Sequence, residues 1–326
     1  MKINFFLAVI IFSVIVSGCG MLGSKETASN KTTDNKAANS AKNTALQPAG
    51  EPKLSEAKPP SFQSSAPDTN EAVKFPYSEF PKVETTAKAG EYVIVPSYNW
   101  IKDAAEKGVD STSFIWYVQK MAQPDKENSE IQFMSERRKV PNAYIVAISP
   151  GQKAKVGDIL LTWWQTGSGI QRAIVVDDKD PLSPIVRYLD IDYDNPAKSR
   201  DNVTTIGKMD EKIVADSFFK IKDWDAGTTV AVQDGANLKK GRVIRVADDK
   251  VLVLEGVGKL KVYPKSACKP VAITPNVKEG DRVKVPFVGN FKDATVSKVD
   301  AKIGRVFVKF DGQNDEKAIP FGDVIK

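Results

Sequence analysis

The chain has 326 residues, 47 Lys and Arg against 41 Asp and Glu, no histidine and two cysteines. The charge of +6 and pI near 9.0 suit weak attraction to anionic surfaces. The missing histidine removes the commonest general base, the usual catalytic triad and most transition-metal sites.

The first element is an apolar run. Lys2 supplies a positive start, and residues 3–16 are apolar except for Asn4 and Ser13, too short for a spanning helix and flanked like an export signal. The sequence Val16-Ser17-Gly18-Cys19 resembles the lipobox of bacterial lipoproteins. That resemblance implies cleavage of residues 1–19 and acylation, with palmitate among the chains, at Cys19. Two or more acyl chains hold a protein stably on a bilayer, where one does not. Gly20 in place of an aspartate points by the same resemblance to the outer membrane of a Gram-negative-type envelope. In that compartment no nucleic acid is expected as a partner.

Residues 20–84 are Ser, Thr, Asn, Ala, Lys and Pro with hardly a large apolar residue before Phe75, which predicts a disordered tether. As a flexible coil, roughly 65 residues span on the order of 45 Å.

Residues 85–150 predict an α+β segment: a strand after Gly90, helical stretches over 99–107 and 113–121, and a strand over 143–148 before Pro150-Gly151. This is either a separate cap or a degenerate barrel opened by a helical insertion. A phrase opening on a turn glycine recurs at Ala89-Gly90-Glu91-Tyr92-Val93, Val156-Gly157-Asp158-Ile159-Leu160, Ala226-Gly227-Thr228-Thr229-Val230 and Glu279-Gly280-Asp281-Arg282-Val283. After each of the last three come a second strand (172–176, 242–246, 294–299), an acidic turn and a third strand (185–192, 250–254, 304–310). Short strands at this spacing predict three small antiparallel β-barrels, 151–222, 223–274 and 275–326. The fold class is therefore mostly β: tandem barrels behind an α+β segment and a disordered, lipidated tether.

The last two units end alike, at Pro264 and Pro320, each followed four residues later by a small apolar position, Cys268 or Val324. With Cys19 lipidated, Cys268 has no intramolecular partner, and the repeat predicts it as a packing residue.

The second unit, with Gly157-Asp158, Trp163-Trp164, Arg172-Ala173 and Tyr188-Leu189-Asp190-Ile191-Asp192-Tyr193-Asp194-Asn195, resembles a Tudor-type barrel over about 40 residues. Asp194 stands where that family has glycine, and Gln171 where it has an aromatic. The last two units resemble Agenet or Src-homology-3-like barrels generically. The Tudor resemblance implies a cation-binding aromatic cage, with Trp163, Trp164, Tyr188 and Tyr193 as the possible ligand-binding residues. Strand alternation sends Trp163 and Trp164 to opposite faces, so at least one is expected in a core. Asp190, Asp192 and Asp194, with Asp201 at the twelfth position, match the opening of a calcium loop, yet Asn195-Pro196 replaces its glycine turn; a solvated acidic edge is expected instead. No metal, cofactor or catalytic residue is expected.

These readings converge on a non-enzymatic, membrane-anchored envelope lipoprotein that binds a protein partner, or an anionic polymer such as peptidoglycan, through its barrels. A cell-wall enzyme that docks through its barrels and a surface-exposed adhesin are the alternatives.

Overall fold

The computed structural model describes residues 72–134, 136–165, 169–191, 210–313 and 315–326. The lipobox, Cys19 and the tether up to residue 71 lie outside the described residues. No helix among the described residues is long and apolar enough to cross a membrane.

The fold is mostly β, and its strands group by the recurring glycine phrase. The first group holds β1 (Tyr92–Pro96), α1 (Tyr98–Lys107), β2 (Trp116–Gln123), β3 (Asn128–Phe133), β4 (Glu136–Pro141) and β5 (Val146–Ala147). The second holds β6 (Ile159–Trp163), β7 (Ile170–Asp177), β8 (Ile185–Tyr188), β9 (Asp210–Lys212) and β10 (Phe219–Lys220). The third holds β11 (Thr229–Asp234), β12 (Asn237–Ala247), β13 (Lys250–Glu255), β14 (Lys259–Pro264) and β15 (Cys268–Pro270). The fourth holds β16 (Arg282–Phe287), β17 (Asn290–Asp300), β18 (Arg305–Phe310) and β19 (Glu316–Pro320). In the first three groups four strands meander antiparallel and a fifth returns beside the first. In the fourth, Ile325 exchanges both backbone hydrogen bonds with Lys284 in the place of that fifth strand.

The glycine phrase has one geometric cause. Gly90, Gly157, Gly227 and Gly280 lie at φ +85°, +89°, +87° and +84°, a left-handed conformation that costs a residue with a Cβ. Each of these glycines donates its backbone N–H across to the second strand of its unit, at Met121, Val175, Val243 or Val296, over 2.8–2.9 Å. The residue after each glycine accepts the N–H of that same second-strand residue. The ladder slips by one residue immediately afterwards in all four units. Such a bulge bends the strand and increases its twist, which lets so short a sheet curl on itself.

Residues 85–150 therefore share the topology of the other units, with α1 inserted between the first and second strands. The helix lies close to its expected place. The second helical stretch, 113–121, is instead mostly strand β2, because Trp116, Tyr117 and Val118 favour a pleated surface and pair with β1.

Residues 72–84, expected in the tether, belong to the folded body. Tyr77 and Phe80 are buried, Phe75 packs edge-on to Tyr144 at 4.9 Å, and Tyr77 Oη donates to the Leu260 carbonyl. Three aromatics within six residues bury enough apolar surface to order a segment that is otherwise polar.

The barrels are fused rather than strung in a line. Along β6, Ile159, Leu161 and Trp163 enter a core shared by all four units, while Leu160 enters a small core inside the second barrel. Lys239 of β12 pairs with Asn290 of β17, joining the third and fourth units in one nine-stranded sheet. The Phe114 N–H donates to Gly258 at 2.7 Å, tying the first unit to the third.

Candidate functional site

The junction of the second, third and fourth barrels holds a buried ion network. Arg172, in the middle of β7, points out of its barrel and is 1% exposed. Its Nη2 donates to Asp190 at 2.7 Å and to Asp323 at 3.0 Å. Its Nη1 donates to Thr229 Oγ1 and to the Phe321 carbonyl. Arg242 of β12 adds a two-pronged contact to Asp190, with both bonds at 2.8 Å, and Lys240 reaches Asp323. Arg305 of β18 donates to the carbonyls of Tyr188, Leu189 and Ile191. Gly322 makes this approach possible, because a Cβ there would meet Arg172 Nη1 at 2.5 Å.

Burial disfavours every charge in this network, and the pairing overcomes it. Asp190 is held well below the usual carboxylate range: desolvation pushes its pKa up, but Arg172 and Arg242 outweigh that. Asp323 is lowered against the same desolvation by Arg172 and Lys240, and Arg172 is held above the ordinary arginine value, against desolvation, by Asp190 and Asp323. Asp190 is thus no solvated acidic edge but a neutralised junction residue. The third barrel carries Arg242 to it, which no local pattern reveals. Asp192, Asp194 and Asp201 lie outside the described residues. Among those described, no group of acids and cysteine is arranged to hold a metal ion.

The proposed cage residues do not share one pocket. Trp163, 7% exposed, packs against Tyr92 with ring centroids 5.0 Å apart, so it works at the seam between the first and second units. Trp164 takes the opposite face and joins the small core of the second barrel. Tyr188 is fully buried in that core, donates to Glu211 and accepts from the Gln165 N–H. Tyr193 lies outside the described residues. Cys268 is buried among Val230, Val232, Val243, Val251 and Val253, and desolvation pushes its thiol up to about 11. Lys269 pairs with Ala231 as Ile325 pairs with Lys284, which places Cys268 and Val324 in equivalent registers.

An aromatic cleft that the sequence reading did not single out opens where α1 meets the first sheet. It encloses about 550 Å³, and Tyr98, Trp100, Tyr117, Phe133, Glu136 and Trp163 are on its walls. Tyr98, Trp100, Tyr117 and Phe133 are half-buried, and Met134 at the lip is 96% exposed. Trp100 and Tyr117 lie 6.0 Å apart, as do Tyr98 and Phe133 at 6.1 Å, while Arg138 covers the Tyr98 ring. The available signal was the density of aromatics between Tyr92 and Phe133. Half-exposed aromatics around a cleft, with an exposed methionine at its edge, make the kind of surface that anchors a partner's side chains.

A second cleft, about 680 Å³, lies where the first three units meet, with Ser149, Gln152, Lys222, Trp224 and Arg245 on its walls. A third, about 310 Å³, opens over the ion network.

No family model matches this chain, and no curated protein matches it. Solved structures similar to it include the four MBT repeats of Drosophila melanogaster Sfmbt in complex with the peptide RHR(me)KVLR, at 10% identity and a TM-score of 0.15, over 73% of this chain and 88% of that one. A likeness that slight carries no argument about ligand or function, and the architecture rests on the strand pairing itself.

Proposed function

We propose that this is a non-enzymatic binding protein of the bacterial cell envelope, held on the membrane through Cys19, which seats a protein partner in the cleft of Tyr98, Trp100, Tyr117 and Phe133. The cleft is the observation that carries the reading. Rings held by a sheet and a helix lose little conformational freedom on binding, and exposed apolar area gains from being covered. Fusion of the barrels supports a rigid presenting surface in place of a flexible string.

The test places a photo-crosslinking amino acid at Met134 in the full chain, in cells. The expected result is one defined adduct, identified by mass spectrometry, that disappears when Trp100→Ala is added. An adduct at Val288, which is 87% exposed on the fourth barrel, with none at Met134 would overturn the reading. A lytic band from the purified chain on sacculi would overturn its non-enzymatic part.

A further inference from the structure

One wall of the cleft between the first three barrels holds a guanidinium, Arg245, with no carboxylate partner among the described residues. Arg245 follows the bulge in β12, so its side chain leaves the third barrel and crosses to the first. Its Nη2 donates to the carbonyls of Asn142 and Ile145. Its Nε is sealed from solvent and has no hydrogen-bond partner, and its Nη1 has none among the described residues. Among the described residues, no carboxylate contacts the guanidinium. By contrast, Arg172, fully enclosed, is matched to Asp190 and Asp323, and the half-buried Arg242 to Asp190. Burial lowers the Arg245 pKa, and an arginine side chain nevertheless stays charged in a protein.

A guanidinium taken from water without a counter-charge is costly to the fold, and two neutral carbonyls do not repay it. The surroundings supply more donors than the protein uses. Lys222, exposed and without an acid partner among the described residues, lies on the same wall. Ser149, Thr86 and Gln152 line the cleft, and among the described residues Gln152 spends only its Oε1, on the Lys220 N–H. Lys220 is committed to Asp158 at 2.7 Å. The one acid on the wall among the described residues, Asp225, accepts the Lys222 backbone N–H at 2.7 Å and so caps its own turn. Donors thus arrive from the strap before the first barrel (Thr86), the first barrel's exit (Ser149, Gln152), the second's (Lys222) and the third (Arg245).

We infer that this three-barrel cleft is a phosphate-binding site in which Arg245 and Lys222 supply the charge and Gln152, Ser149 and Thr86 the neutral donors. Five donor groups exceed what the two oxygens of a carboxylate accept well, and match the several acceptor oxygens of a phosphoryl group. The site is separate from the aromatic cleft, so either proposal can fail alone. Trp224, half-buried on the same wall beneath Lys265, reports on occupancy.

The experiment titrates inorganic phosphate into the full chain carrying Cys19→Ser, with sodium chloride at matched ionic strength as control, and follows tryptophan fluorescence and the thermal midpoint. Saturable changes with phosphate and none with chloride are expected. Arg245→Gln should weaken phosphate roughly tenfold to a hundredfold, the range for losing a charge-assisted hydrogen bond. Lys222→Gln, an exposed change that leaves folding intact, should weaken it about two- to fivefold. Flotation with vesicles containing phosphatidic acid separates the two sources: flotation that Arg245→Gln reduces as it reduces the response to free phosphate assigns a lipid headgroup, and saturation by free phosphate without flotation assigns a soluble phosphate. Equal responses to phosphate and chloride, or a phosphate response unchanged in both variants, would overturn the inference.

Discussion

Arg172 of the second barrel donates to Asp323 of the fourth at 3.0 Å, across 151 residues of chain, and both side chains are almost fully enclosed. Neither charge could be kept there alone, so the contact makes the folding of two distant barrels interdependent.

Removing one partner should therefore cost far more than the pair itself contributes. Asp323→Ala leaves Arg172 and Lys240 facing each other with one carboxylate fewer, and it is expected to lower stability by about 3–5 kcal/mol in urea unfolding. Asp311→Ala breaks an exposed pair with Arg282 and should leave the midpoint unchanged.

The same carboxylates set the response to acid. Both have folded pKa values below the unfolded one, so their contribution is fully present above the ordinary aspartate value of about 3.9 and is lost as the pH falls below it through the folded values. Stability measured against pH should fall steeply there, and Asp190→Asn should flatten that slope.

Gly227 and Gly280 share a left-handed backbone but not their surroundings. A Cβ at Gly227 would sit 2.1 Å from Leu161 Cδ1, whereas one at Gly280 meets open space. Gly280→Ala should carry only the backbone penalty, about 1–2 kcal/mol. Gly227→Ala should cost about 1–3 kcal/mol more, since Leu161 must move within a packed seam. Thermal midpoints of the two variants check the difference.

Cys268 should resist a maleimide at neutral pH and react fully once the chain is unfolded, because its thiol is buried and shifted up to about 11. Cys268→Val should cost less than about 1.5 kcal/mol, as a swap that nearly conserves volume and copies Val324.

The repeating unit was legible in the sequence because a left-handed turn admits glycine best, and that requirement leaves a visible mark at Gly90, Gly157, Gly227 and Gly280. The register of Cys268 was legible through Pro264 and Pro320. The same spacing stands at Pro141 and Ile145, which is fully buried, and would have placed residues 85–150 among the barrels. What could not be read was how the barrels meet. Arg172 carries no local sign that it leaves its own barrel, and Asp190, read beside Asp192 and Asp194, looked like part of an exposed acidic run. Strand patterning tells which faces are apolar but not which faces touch, and contacts such as Arg305 to the Leu189 carbonyl span more than a hundred residues. The aromatic cleft was hidden for a related reason, since Trp100 lies on α1 and Tyr117 on a strand mistaken for helix.

The segment that leads into the folded body crosses two barrels before it joins a strand. Tyr77 is fastened to the Leu260 carbonyl of the third barrel, and the Val83 carbonyl accepts from Asn142 of the first. A pull from the N-terminal side therefore meets a contact on the third barrel and one on the first before it reaches β1.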